Sequence, residues 1–470
     1  MKFTTRIAVA ALCIGACVHQ RWRDEAPELA TKMAVVFPSV ECWRLGNGTR
    51  VCALEIPGSP VVAVGLSLRI DGQPDPPGFA GATAAMLGAL VSARDTDGHR
   101  ALKRGLGDLG AQANIEDTAQ GVLIWTHAQP AVAGRALAVI AASVTAPVLT
   151  QDLLKDVRAN QCERAQAVTG DPDTLANLGL LRRLLPDGHP VAMPALRTQI
   201  CHETLTLAQA VGLQQTYVGP DNVALLVAGD VSPDEVDTWS QAALGDWTRR
   251  TTLAPPPPPI THGSGGVTIV DVPGLAQTVI AFGGFAGAGE RADAPALQVA
   301  AAFLQGALHV ALREEMGATY GVGVSLVPVG ERALWQIQTR VETGQTGRVL
   351  RRLRGELRDL NRWARPSDAS IFTVRINHLT AAMASMHTAS GALQGAAQMH
   401  WYSRPVDYYG QMPARVGDVD GEAVVRVLQG SFVAAGAELV LVGDAAALVR
   451  QSPDLRDAAV LLPIQVTDGL

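Results

Sequence analysis

Beyond the first twenty residues, apolar and polar positions alternate between two grammars. Runs rich in β-branched and other apolar residues at 51–56, 61–69, 223–228, 267–272, 278–282 and 438–442 are bounded by Gly, Pro or Asp and predict strands. Between them lie long Ala/Leu-rich stretches that predict helices. The order repeats. Residues 51–56 lead to Pro57-Gly58 and then to 61–69, while 267–272 lead to Pro273-Gly274 and then to 278–282, a displacement of 216 residues. The run 223–228 closes at Gly229-Asp230 and the run 438–442 at Gly443-Asp444, a displacement of 214. Two landmarks far apart keep nearly one displacement, which points to duplication of a unit of about 215 residues. Strands first, then helices, then a closing strand predict an α+β fold. Two homologous α/β domains are expected, each a largely antiparallel sheet covered by helices.

The strongest punctuation is Pro255 to Pro259 followed by Gly263-Ser264-Gly265-Gly266, which can hold neither helix nor central strand. It places a linker at 251–266 between domains at 40–250 and 267–462. After the first twenty residues no apolar run is long enough to cross a bilayer. At the N-terminus Lys2 and Arg6 precede the apolar stretch 7–16, the pattern of an export signal. Ile14-Gly15-Ala16-Cys17 resembles a bacterial lipobox, so residues 1–17 are expected to be a signal peptide with lipidation at Cys17. An ordinary secretory signal with an incidental Cys is the plainer alternative.

Charge and cysteine content narrow the picture. Removing Lys2 and Arg6 takes the net charge from -6 to -8, which argues against nucleic acid as a partner. The densest basic run, Arg348, Arg351, Arg352 and Arg354, is interleaved with Glu356, Arg358 and Asp359 as on a solvated helix face. Cys42, Cys52, Cys162 and Cys201 remain past the lipobox, and an oxidising compartment permits them to pair. If Gly46 to Gly48 form a three-residue hairpin loop, Cys42 falls opposite Cys52, a disulfide candidate. No CxxC or Cys/His spacing of a structural zinc site is present.

Four segments resemble the insulinase, or pitrilysin, family of zinc metallopeptidases. They are Leu45-Gly46-Asn47-Gly48-Thr49-Arg50-Val51; Gly188-His189-Pro190 with Tyr217 to Asn222 and Gly229-Asp230-Val231; Pro273 to Thr278; and Leu312-Arg313-Glu314-Glu315-Met316-Gly317-Ala318-Thr319-Tyr320-Gly321. Active members carry His-x-x-Glu-His on an early helix, where the i, i+4 spacing puts two imidazoles on one face and the Glu polarises the metal-bound water. The resemblance aligns Gly81, Ala84 and Ala85 with those three positions, and none can bind zinc or move a proton. The family's third ligand, a Glu, aligns within about Lys155 to Glu163, where Asp156 and Glu163 read better as solvated carboxylates. Cys201-His202-Glu203 is a local cluster of ligand-type residues, but adjacent side chains on a helix diverge. No metal or cofactor is therefore expected in this chain.

The other part of the family's active site remains. In active relatives an Arg and a Tyr seven residues apart hold the peptide backbone, and Arg313 and Tyr320 stand at that spacing. A guanidinium can donate to backbone carbonyls and a phenol to an oxyanion. The plainer alternative pairs Arg313 with Glu314 or Glu315 and packs Tyr320 as an ordinary strand residue. The resemblance implies a subunit of a heteromeric metallopeptidase. A homologous partner with an intact His-x-x-Glu-His would hold the zinc, and this chain would supply Arg313 and Tyr320 for peptide substrate. The alternative is a non-enzymatic scaffold or peptide-binding module. The expected place is the periplasmic side of the bacterial envelope, with membrane contact only through the lipid anchor.

Overall fold

The computed structural model describes residues 37–69, 82–92, 101–118, 120–186, 189, 191, 205–248, 251, 260, 265–287, 291, 294–330, 332–362, 367–433 and 436–461. The signal and Cys17, Gly81, Gly188, Pro190, most of the linker and Cys201-His202-Glu203 lie outside them.

Strands β1 (Val40–Arg44) and β2 (Arg50–Glu55) form a hairpin whose turn is closed by the Leu45 N–H on the Thr49 carbonyl at 3.0 Å. The Asn47 side chain accepts from the Thr49 N–H at 3.0 Å and donates to the carbonyls of Leu244 and Trp247 at 2.6 and 2.9 Å, which ties the turn to the body. Cys42 pairs with Cys52 across the ladder, and their sulfurs are bonded. The first half continues through β3 (Val62–Arg69), α1 (Ala82–Ser92), α2 (Ala101–Gly107), β4 (Asn114–Asp117), β5 (Gly121–Ala128), α3 (Pro130–Thr145), α4 (Gln151–Thr169), α5 (Pro172–Leu184), α6 (Leu207–Tyr217), β6 (Val223–Gly229) and α7 (Pro233–Leu244). Helix starts follow local chemistry: Thr206 with Gln209 and Ser232 with Glu235 form capping boxes, and α3, α5 and α7 open on proline.

The second half runs β7 (Val267–Asp271), β8 (Gln277–Phe285), α8 (Pro295–His309), a π-helical extension Val310–Glu315, β9 (Thr319–Val329), β10 (Arg332–Glu342), α9 (Thr346–Arg358), α10 (Asp368–Met386), α11 (Ala389–Trp401), α12 (Tyr408–Gly417), α13 (Gly421–Ser431), β11 (Glu438–Gly443), α14 (Ala445–Gln451) and β12 (Ala459–Leu461). The sheets have orders β1-β2-β6-β3-β5-β4 and β12-β7-β11-β8-β10-β9. Five consecutive strands correspond, β2-β6-β3-β5-β4 to β7-β11-β8-β10-β9, as duplication requires; the outermost strand differs. Most neighbours are antiparallel, but β2 with β6, β11 with β7 and β12 with β7 are parallel, so both sheets are mixed.

Each sheet is covered on one face by a helix from the other half. Helix α11 lies across β3 and β6, and α5 lies across β8 and β11. Helix α3 covers the opposite face of β3 and β5. Burial on both faces explains why β6 is buried at every position and reads as an unbroken apolar run. At the α11 crossing the Nδ1 of His400 is 3.0 Å from the Ser67 hydroxyl. At the α5 crossing Leu180 and Leu184 join Val279, Ala281 and Val440 in one core. Beside that core, the fully buried Glu438 carboxylate meets Arg183 at 3.4 Å and accepts the N–H groups of Gly265 and Gly266 at 3.1 and 3.2 Å. A buried carboxylate needs such a set of donors.

One expectation is corrected here. The helix Pro295–Glu315, 21 residues long, is apolar enough by composition to span a bilayer. Its residues Leu297, Ala300, Leu304 and Leu308 are buried, and it packs on α13 and β9, which makes it a core helix.

Candidate functional site

The segment from α8 to β9 carries Arg313 and Tyr320. Its π-helical turn buries Ala311 and Leu312 and leaves Arg313, Glu314 and Glu315 exposed. Such turns concentrate at functional sites because the extra residue re-aims a side chain. The turn ends through the Gly317 N–H on the Arg313 carbonyl at 3.1 Å and the Ala318 N–H on the Leu312 carbonyl at 3.0 Å. Gly317 has φ +60, a left-handed conformation that glycine adopts without strain.

The chain enters β9 at once. Thr319 pairs with Val341 and Val322 with Thr339, so Tyr320 and Gly321 together oppose Arg340 in a β-bulge. Hydroxyls pin the bulge: Thr319 Oγ1 lies 2.8 Å from Thr339 Oγ1 and 2.9 Å from the Arg340 carbonyl, and Thr339 Oγ1 donates to the Gly321 carbonyl at 2.8 Å. Tyr320 projects from it 88% exposed. It does not pack as an ordinary strand residue.

Arg313 does not pair with Glu314 or Glu315 either. Its guanidinium contacts the His309 Nε2 one turn back at 3.5 Å. Glu315 accepts instead from Arg352 at 2.6 Å, and Arg352 also meets Glu356 at 2.7 Å. That pairing gives the basic face of α9 its counter-charges.

Beside Tyr320 lies a polar cavity of about 470 Å³, walled by Gly321, Gly323 and Ser325 of β9, Gln338 and Arg340 of β10 and Asp173 of α5. Asp173 forms an ion pair with Arg340 and accepts from the Gln338 side chain at 3.2 Å through its carboxylate and 3.1 Å through its carbonyl. Sequence reasoning did not find this set. The Asp171-Pro172-Asp173 helix start was legible, since Asp171 caps Thr174 at 3.0 Å and those bonds hold its carboxyl below the usual range, but nothing in it pointed to β10.

The residues aligned with the zinc motif do not fit a metal. Ala84 and Ala85 fall in the first turn of α1, and methyl groups offer no donor. Helix α4, which packs on α1, carries Asp156 and Glu163 exposed. Among the described residues no three His, Cys, Asp or Glu side chains gather. His189 is buried, accepts the Val191 N–H on Nδ1 at 3.2 Å and has its pKa lowered by desolvation, a structural arrangement.

Residues 204–364, which run from the end of the first half into the second, match the family described as peptidase M16 inactive domain. The whole fold matches too. It is similar to the peptidase M16 inactive domain from Pseudomonas fluorescens, 18% identical, with TM-score 0.72 over 86% of this chain and 98% of that one. The chain has the insulinase-type, M16 fold. A protease from Helicobacter pylori shares this M16 architecture at 15% identity, TM-score 0.76, over 87% of this chain and 100% of that one. A chain of complex III2 from Candida albicans does so at 14% identity, TM-score 0.73, over 90% and 100%. No curated protein sequence matches the chain.

Proposed function

We propose that this M16-like chain is the non-zinc-binding subunit of a heteromeric insulinase-type metallopeptidase. A homologous partner carries His-x-x-Glu-His and the zinc, and Arg313 and Tyr320 of this chain hold the peptide backbone. The observation that supports this most is the exposure of Tyr320 on a bulge locked by Thr319 and Thr339. Fixed donors act on the developing charge of a transition state because they need no reorganisation. The phenol donates to the oxyanion and the guanidinium to a neighbouring carbonyl. The polar cavity at β9 begins at Gly321, next to Tyr320, and offers room for peptide.

The test reconstitutes the chain with an M16 homologue that co-purifies from its host. In the assembled pair Tyr320→Phe should lower kcat about 10²- to 10³-fold while size-exclusion chromatography shows assembly intact. Arg313→Ala should act likewise but also removes packing. Unchanged turnover for both variants in an active complex would assign the chain the second reading, a non-enzymatic scaffold or peptide-binding module. The likeness to a chain of complex III2 favours that alternative.

The same proposal places the chain on the periplasmic side of the bacterial envelope, anchored through Cys17. The Cys42–Cys52 bond suits an oxidising compartment. Cys17→Ser should move the protein from the membrane to the soluble fraction; unchanged fractionation would remove the anchor.

A further inference from the structure

A second cavity, of about 500 Å³, lies between β4, β9 and the helices α10, α11 and α12. Neither Arg313 nor Tyr320 lines it, and its size falls within the range of small-molecule sites. Much of its wall is soft and apolar: Met386, Met399 and Met412 with the rings of Tyr408 and Tyr409. Thioethers and aromatic faces adapt to linear or planar bodies and attract cations.

Two lining residues leave a buried polar atom without a hydrogen-bond partner: Glu116 through Oε2 and His378 through Nε2. The Gln394 side chain bonds the Glu116 carboxyl, so one need of that group is met and another is not. Buried polar atoms are nearly always paired, and two orphans on one cavity mark what would fill it. Burial lowers the pKa of His378 and raises that of Glu116. The imidazole is thus neutral at pH 7, and its Nδ1–H tautomer presents an acceptor at Nε2. Glu116 Oε2 and, in that tautomer, His378 Nε2 are two acceptors, which ask for a head with at least two donors. An alcohol has one, and a carboxylate has none and meets Glu116 as a like charge. Arg404, the other charged group of the wall, lies over the rings of Tyr402 and Tyr408 at 5.6 Å each.

We infer that this cavity binds a primary amine with a linear or aromatic apolar body, its ammonium donating to Glu116 Oε2 and His378 Nε2. The body lies among the methionines and tyrosines. The site is independent of the Arg313 and Tyr320 proposal.

Isothermal titration of the full chain at neutral pH with hexylamine and phenethylamine, against hexanol and hexanoate, tests it. The amines should bind at least tenfold more tightly than the alcohol or the acid. Glu116→Gln should weaken amine binding tenfold or more and leave hexanol unchanged. Ala382→Phe, which fills the cavity from α10, should abolish binding of all four, with folding checked by circular dichroism. If either variant fails to fold, His378→Phe takes its place and should weaken amine binding about tenfold. Tyr320→Phe should bind amines as the parent does, which separates this site from the proposed peptide site. Absence of amine binding at millimolar concentration, equal affinity for hexylamine and hexanol, or full affinity in Glu116→Gln would overturn the inference and leave the cavity to water.

Discussion

The indole Nε1 of Trp401 donates to the carbonyl oxygen of Leu68 at 3.1 Å, joining the last turn of α11 to β3 across 333 positions of the chain. The bond is buried, so its strength reports how well the second half's helix is seated on the first half's sheet. Trp401→Phe removes the donor and keeps most of the ring, and should cost about 1–3 kcal/mol. Trp401→Ala adds a cavity and should cost about 3–5 kcal/mol. Urea unfolding followed by circular dichroism distinguishes them; two equal and negligible losses would mean the indole is not seated there.

Gly121 tests the same contact from the other side. A Cβ at this position would stand 2.1 Å from Trp401 Nε1 and 2.4 Å from the Leu68 carbonyl oxygen. Gly121→Ala should therefore destabilise by about 1–3 kcal/mol through overpacking. Trp401→Ala removes the indole part of that clash and leaves the Leu68 carbonyl, so the double variant should lose less than the two single losses together. Strict additivity would contradict the geometry.

His400, on the same turn, predicts a pH dependence. Burial, with the charges of Arg50, Arg69 and Arg44 nearby, lowers its pKa to about 3. In the unfolded chain it takes a proton below about pH 6.5. Between those values the unfolded state binds the extra proton, so stability falls as pH falls, by up to about 1.4 kcal/mol per pH unit. Above pH 6.5 this contribution is complete and flat. Denaturation midpoints from pH 8 to pH 4 should show the loss, and His400→Gln should flatten it.

The Cys42–Cys52 bond closes a ring of sequence separation 10, and the β ladder already pairs the two positions. Replacing both with Ser should cost no more than about 3 kcal/mol, because so short a ring removes little entropy from the unfolded chain. Non-reducing peptide mapping should find the bond in the parent, and Tm should drop by only a few degrees in the double variant.

Much of this fold was legible in the sequence. Strands β2, β6, β7 and β11 stand where apolar runs ended at Pro-Gly or Gly-Asp, and the nearly equal displacements of those landmarks, 216 and 214, pointed to a duplicated unit without fixing the order of its strands. The surface that Leu180 and Leu184 meet was not legible, because an apolar helix face does not encode which of two similar sheets will cover it. The π turn left no trace, since Pro295 and Gly317 bound one uninterrupted helical pattern. Arg313 and Tyr320 came from resemblance to a family motif. The bulge that exposes Tyr320 depends on hydroxyl pairs between strands, and the Asp173–Arg340 pair joins positions 167 apart, so no local pattern announces either.

The crossing of α5 and α11 between the sheets bears on how such a molecule arises. A single unit folded alone would leave one face of its sheet bare and its own crossing helix without a seat. Both needs are met when two units trade that helix, the geometry of a domain-swapped dimer. Within one chain the exchange is intramolecular, so each half stays seated only while the helix of the other is in place.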